Sequence, residues 1–375
     1  MNSQNQFGTT ARPAGKSMLA FWRDVFLIAT LVISGLYAGA GFLMPLALAA
    51  LIFVLITALS DRITGLRIGG WHPPRWLGYL LGTTAALLGL FAVTSVLADQ
   101  ASQFARALPQ YEAQMDTALG RIAGLLGDEI VSFIRKNFIQ IDMSRLAVSA
   151  IGGAGSFLST FFLICLYVMF MIGERSVFGL KIERAARDQK LRDEIHAITN
   201  AISLSLQRYV SVKSFVSALT ALLSYAVFRW LGLEFAETWA VLTFALNFIP
   251  SIGSVLAVIL PALVALVQFD TASPFLIIAL GCGTLQFLIG NFLDPALTGR
   301  SLNLSTFMVI LALTFWTAIW GLLGAFMSVP LTVCLLIVFA QIPAMRPVAI
   351  LMSKDGQLAN AADTQDKAAH GHGPE

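Results

Sequence analysis

From Val25 to Ser60 the chain carries no charged residue, and that run limits what it can fold into more than any other feature. A helix that crosses the hydrocarbon of a bilayer takes about 20 apolar residues. The run is too long for one such helix and long enough for two. Gly39, Ala40, Gly41 and Pro45 interrupt it, which predicts two spans joined by a tight hairpin. The chain as a whole is 57% hydrophobic and 12% charged, with a mean hydropathy of +0.78. A soluble domain carries about 25% charged residues, so most of this surface must face lipid or another subunit.

Basic residues flank the first run on both sides: Arg12, Lys16 and Arg23 before it, and Arg62, Arg67 and Arg75 after it. The excess of positive charge on cytoplasmic loops then places both flanks in the cytoplasm. The run begins only after Asp24 and outlasts the short apolar core of a signal peptide, so it is expected to be retained. Residues 1–24 are therefore expected to be cytoplasmic. Residues 25–98 hold the first three spans, the third from Trp76 to Ala98. Residues 99–150 mix acids and bases with apolar positions at helical spacing, such as Ile122, Leu125, Leu126, Ile130, Phe133 and Ile134, and predict an extracytoplasmic helical cap. A fourth span covers 151–172, where Gly152, Gly153 and Gly155 would allow close helix packing. Residues 173–213 are basic and amphipathic, which predicts a helix on the cytoplasmic side.

Residues 214–341 carry the informative pattern. After the span Phe215–Leu231, two long apolar segments are each broken in the middle. Thr238–Gln268 is broken at Asn247-Phe-Ile-Pro250-Ser251-Ile-Gly253, and Thr306–Gln341 at Trp320-Gly321-Leu-Leu-Gly324 and Ser328-Val-Pro330. Each is too long for one modestly tilted helix, and the halves of the first are too short to cross alone. A helix that dips in and returns fits both, with a plain span at 271–290 between them; a kinked single crossing of each is the alternative. Broken backbone at membrane depth survives only inside protein or along a wet cavity, and a matched pair of breaks points to a transport site. The order span, hairpin, span, hairpin also implies that the first hairpin enters from outside and the second from inside. Residues 342–375 form a polar cytoplasmic tail, expected to be disordered and ending in His370-Gly-His372. The fold class is thus an all-α integral membrane protein of about eight hydrophobic segments, two of them interrupted, with a helical cap outside.

Other functions find no support in these residues. The net charge is +3 and no basic run interleaves with aromatics, so no nucleic-acid partner is expected. Cys165, Cys282 and Cys334 stand alone, and no His/Cys/Glu spacing suits a metal. There is no phosphate loop and no Gly-x-Ser-x-Gly. No enzyme, cofactor or metal is expected, and transport would be secondary or passive.

Several motifs carry a family resemblance. Gly290-Asn-Phe-Leu-Asp294-Pro295-Ala-Leu-Thr-Gly299-Arg300, followed by Phe315-Trp316 and Trp320-Gly-Leu-Leu-Gly324-Ala-Phe-Met-Ser-Val-Pro330, resembles the AI-2E family of autoinducer-2 exporter-like permeases. Asn247-Phe-Ile-Pro250-Ser-Ile-Gly253 is similar to its other shared motif, and Arg208-Tyr209 with Lys213 to its lead-in to the fifth span. The resemblance covers roughly residues 20 to 350. It implies an oligomeric protein of the bacterial inner membrane, a pentamer among the admissible counts. It also implies transport, of autoinducer-2 in some members and sodium–proton exchange in others.

The polar residues within the membrane segments are the candidates for the path. Asp294 is placed to bind a coupling H+ or Na+ or a solute hydroxyl; its plainer role is to cap a helix and pair with Arg300. Gln286 and Asn291 are five apart and share a broad helix side, suited to cross-helix hydrogen bonds or to the path. Asn247, Ser251 and Ser254 surround the first break and Ser328 lies at the second; each can rescue freed backbone or line a route. Pro250, Gly253, Gly321, Gly324 and Pro330 shape the turns. The expected cargo is a small polar solute, with a sodium–proton antiporter or an uncoupled oligomeric channel as the alternatives.

Overall fold

The computed structural model describes residues 18–65, 76–85 with a few neighbours up to 95, 143–186, 188–298 and 303–357. The 99–142 part of the expected cap, the tail beyond 357 and Arg300 lie outside the described residues, as do the side chains of 143–158. Among the described residues the chain is helical, apart from one isolated bridge between Leu304 and Ser353. The helices are α1 (Met18–Ala38), α2 (Ala40–Gly65), α3 (76–85), α4 (Met143–Ala185), α5 (Gln189–Leu231), α6 (Ala236–Leu246), α7 (Ile252–Gln268), α8 (273–298), α9 (Thr306–Gln341) and α10 (Arg346–Met352).

Large apolar side chains line the outside: Phe26, Leu31, Trp230, Phe307 and Leu322 are each more than 70% exposed. Exposure on that scale is stable only against lipid or another subunit, and with at least four helices long and apolar enough to cross a bilayer the chain is a multi-pass membrane protein.

The first junction differs from the expected hairpin. Gly39 N–H donates to Gly35 O at 2.8 Å and Leu43 N–H to Gly39 O at 2.9 Å, so helical bonding runs through the break. Leu36, Ala40, Leu43 and Ala47 form one uninterrupted helical stripe against Ala312, Trp316 and Trp320. The Leu36 carbonyl accepts from Trp320 Nε1 at 3.0 Å. One glycine loosens a helix without reversing it, and a neighbouring indole takes up the bond that is lost. α1 and α2 therefore join end to end, which removes the hairpin from which a cytoplasmic N-terminus was reasoned.

α5 is the axis of the molecule. It contains no Gly or Pro, so the basic stretch before residue 213 and the apolar span after it form one helix of 43 residues, about 65 Å long at 1.5 Å per residue. It ends in a Schellman motif: Gly232 takes φ 71° and donates to Arg229 O, while Leu233 N–H donates to Phe228 O at 2.9 Å. α8 runs antiparallel to α5. Ile278 packs with Phe228, the Cys282 thiol meets Ser224, and Asp294 meets Lys213. α2 packs through Leu51 near Tyr209 and Val210 of α5, and through Ala49 and Ile56 against Ile164 and Val168 of α4. Arg175 of α4 closes that corner, lying 5.2 Å from the Tyr79 ring and 3.5 Å from Asp61. Just beyond it α4 bends by 66°.

Both interrupted segments fold back on themselves. In the first, Gln268 at the end of α7 accepts from Glu234 N–H and donates to Gly232 O, both at 2.8 Å, so the segment leaves where it entered. In the second, α9 is long enough to span, yet Gly321 (φ 59°, ψ −139°) breaks it. Trp316 Nε1 donates to Thr332 Oγ1 at 3.2 Å across the fold; sixteen residues of straight helix would hold them about 24 Å apart. A strap closes its base: Ser305 N–H donates to Met352 O and Lys354 N–H to Asn303 O.

The bases pack on α5 about 30 Å apart along its axis, one at its C-terminal end and one near its middle. That of the first hairpin packs on Phe228 and Leu233, that of the second on Leu206, Tyr209 and Val210. The tips meet between them, with Phe248 stacked on Phe326 at 4.9 Å and Leu246 and Ile249 packed with Leu313 and Ala325. The two hairpins enter from opposite ends.

Candidate functional site

Each tip is made by a glycine whose missing side chain lets backbone approach backbone. A Cβ on Gly253 would overlap the Leu246 carbonyl, and one on Gly324 the Trp316 carbonyl. The first tip is also strained. Ser251 takes φ 60°, ψ −58°, and Ile252 N–H reaches back over it to Pro250 O at 2.6 Å, a γ-turn of the rare positive-φ kind. Backbone strain of about 1–3 kcal/mol persists where the surroundings enforce it, often at working sites. Asn247 anchors this tip by donating from Nδ2 to Ser217 Oγ of α5 at 3.1 Å. At the second tip Pro330 is buried within the outgoing arm.

A cavity of about 640 Å³ lies against the first tip, between α5, α7 and α8, with Val309 and Val329 of the second hairpin on one side. Asn247, Ser251, Ser254, Gln286, Asn291 and Asp294 all line it. Six candidates that the sequence scatters over some fifty positions thus face one space. Ser328 does not; it is fully buried and its hydroxyl donates to Ala325 O. Of the turn formers, Pro250 lines the cavity, while Gly253, Gly321, Gly324 and Pro330 hold the tips.

α8 turns its polar residues toward the cavity with two wide turns. Ile277–Cys282 and Ile289–Leu293 are π-helical. Bonding from i to i+5 widens the helix locally, both Gln286 and Asn291 line the cavity, and such turns are frequent at functional sites. Asn291 Nδ2 donates to the Phe287 carbonyl at 2.9 Å.

Asp294 lies on the cavity wall and accepts from Lys213 Nζ at 2.8 Å. The two side chains are 23% and 13% exposed, so the pair is largely withdrawn from water. Lys213 is thus a partner of Asp294 among the described residues, and the expected pairing with Arg300 lies outside them. Two further groups have no hydrogen-bond partner there: the amide nitrogen of Gln286 and the hydroxyl of Tyr209, both buried and both on the cavity wall. Leaving such a group unpaired costs about 1–3 kcal/mol, and a wet or solute-filled cavity relieves that cost. Tyr209 and Lys213 were not among the path candidates. The signal was their place beside Arg208 in the motif before the fifth span, although nothing local marks them as facing Asp294. Among the described residues no cluster of His, Cys, Asp or Glu could hold a metal.

Comparison with known proteins gives a consistent picture. Residues 25–344 match the AI-2E family transporter. The chain is 30% identical to the AI-2 transport protein TqsA of Escherichia coli over 331 residues, covering 86% of this chain and 92% of that one. It is 26% identical over 332 residues to a protein of Haemophilus influenzae whose name assigns it provisionally to transport, covering 86% and 93% respectively.

Proposed function

The chain belongs to the AI-2E transporter family, and from that premise we propose that it is a secondary transporter exporting a small polar solute across the bacterial cytoplasmic membrane. The observation that carries the proposal is the convergence of six polar side chains from both sides of the first break on one cavity of about 640 Å³. That volume suits a small molecule, and broken backbone lining a cavity at membrane depth is the usual form of a carrier site.

The chemistry of the lining selects the cargo. Between apolar side chains the walls offer amides, hydroxyls and backbone groups, and the Lys213–Asp294 pair neutralises itself. A multiply charged metabolite would have to leave water without a counter-charge, at a cost of several kcal/mol. A neutral hydroxylated solute or a weakly hydrated anion exchanges its water bonds for those of Gln286, Tyr209 and the serines. The name of the Escherichia coli relative makes autoinducer-2 the first candidate.

Direction follows from charge. The part of α5 up to Lys213, with Lys190, Arg192 and Arg208, packs near the segment that carries Arg346 and Lys354, whereas Glu234, Glu237 and Asp270 lie about the first base, with Arg229 paired to Glu237. The rule that positive charge lies on the cytoplasmic side supports a reading in which the Lys213–Asp294 end of the cavity and the C-terminal strap face inward, where an exporter loads. The exposed apolar faces suit a homo-oligomer in lipid.

A second proposal, sodium–proton exchange, is favoured by one observation: the Lys213–Asp294 pair could open to admit a cation. Reconstitution in liposomes with imposed proton, sodium or solute gradients separates the two. Saturable movement of autoinducer-2 or another small polyol is the expected result. Sodium–proton exchange without solute movement would replace export by exchange, and unsaturable ion current would replace both by a channel.

A further inference from the structure

Behind the cavity the protein interior stays polar. Ser217, Thr220 and Ser224 form one stripe of α5 at helical spacing and are at most 1% exposed. Asn247, bonded to Ser217, forms part of the cavity wall. Phe228 packs beside Ala236, so α5 and α6 are antiparallel, and Thr243 lies one turn deeper than Asn247. On α8, Gln286 also forms part of the cavity wall, and Cys282, one turn deeper, meets Ser224. Hydroxyls, amides and a thiol therefore continue from the cavity toward the far end, over about 16 Å of helix from Lys213 to Ser224.

Buried hydroxyls in membrane helices often satisfy themselves, as Thr220 does by donating to Val216 O. Two groups of this seam do not. The Thr243 hydroxyl (1% exposed) and the Gln286 amide nitrogen (7% exposed) have no hydrogen-bond partner among the described residues. Orphaned groups in succession are costly in a static core; a route that is intermittently wet or occupied gives them partners. The seam ends abruptly. One turn beyond Ser224 and Cys282, Phe228 and Ile278 are both 0% exposed and pack with Trp239, Ala262 and Ala265.

We propose that this seam is the continuation of the solute path and that the Phe228–Ile278 contact is its closed gate in the conformation seen here. The proposal rests on the transport reading and extends it, naming the route and the barrier. A solute leaving the cavity would pass Asn247 and Gln286, then Thr243 and Ser224, and reach the far face only when the apolar plug parts.

Cys282 is a native reporter just inside the gate. The protein is reconstituted with Cys165→Ser and Cys334→Ser, and an impermeant methanethiosulfonate is added at the face of the first hairpin's base. Phe228→Ala should raise the rate of Cys282 modification by about tenfold or more, as expected when a local closing contact is lost. Trp230→Ala, two residues along on the exposed face, should leave it unchanged. If Phe228→Ala does not assemble, Ile278→Ala makes the same test. An unchanged rate in the gate variants, or an equal rise in Trp230→Ala, overturns the gate. Saturable solute flux with unmoved labelling removes the seam and leaves the transport reading. Raised labelling with no flux of any solute does the reverse.

Discussion

Two residues, Lys213 and Asp294, share one hydrogen bond and one charge balance. Removing the Asp294 charge strands the Lys213 ammonium in a poorly hydrated site. Full burial would make that cost about 3–5 kcal/mol; with both side chains still partly wetted, about 1–3 kcal/mol is expected for Asp294→Asn. The double variant Lys213→Gln with Asp294→Asn should recover most of that stability in a thermal scan of detergent-purified protein. Solute movement in the double variant then separates the roles. Recovery of both stability and flux would make the pair structural, whereas stability without gradient-driven flux is the outcome expected of a coupling site. Gln286 predicts the opposite sign for stability. Its amide nitrogen is buried without a partner, so Gln286→Met should raise the melting temperature while weakening solute binding, the trade common at working sites. A fall in melting temperature would mean that the amide holds the fold together.

At the scale of elements, the tips carry the sharpest demand on sequence. Gly253→Ala and Gly324→Ala would each force a methyl into a carbonyl, and each should cost about 2–4 kcal/mol or prevent assembly. Gly281 has open space around it, and its change to Ala should shift stability by less than about 1 kcal/mol. Size-exclusion profiles of the three variants would read the difference. Both hairpins were legible in advance, because Pro250 with Gly253 and Gly321 with Gly324 stand in the middle of apolar runs whose lengths fit no simple span. Six of the seven path candidates were legible as well, since a polar residue in an apolar run has few places to go. The join at Gly39 was not. A glycine permits reversal without requiring it, and the deciding contact comes from Trp320, 284 positions from the Leu36 whose carbonyl it holds. The Lys213–Asp294 pair, 81 positions apart, and the π turns of α8 also depend on tertiary packing and leave no local signature.

For the molecule as a whole, the arrangement of the hairpins around α5 makes a claim about sides. The first base is tied at Gln268 to Gly232 and Glu234, and the second is strapped at Asn303 and Ser305 to Met352 and Lys354. One packs around Leu206–Val210 and the other around Phe228–Leu233 of α5, about 20 residues or about 30 Å apart along the helix, close to the thickness of the hydrocarbon. A separation of that size predicts bases at opposite faces of the bilayer. Single cysteines at Thr271, beside the first base, and at Asp355, beside the second, are exposed positions away from the cavity. An impermeant thiol reagent should label the first only from outside intact cells and the second only in inverted vesicles. Ser251→Cys, in the cavity wall, should follow Asp355→Cys, because Tyr209 of the same wall packs with the second base. Ser328 would make a poor reporter for the second tip, since it is fully buried. Labelling of Thr271→Cys and Asp355→Cys from the same side would refute the inverted arrangement itself. Labelling from opposite sides with Ser251→Cys following Thr271→Cys would keep the arrangement and turn the cavity outward, and with it the direction in which this conformation loads its solute.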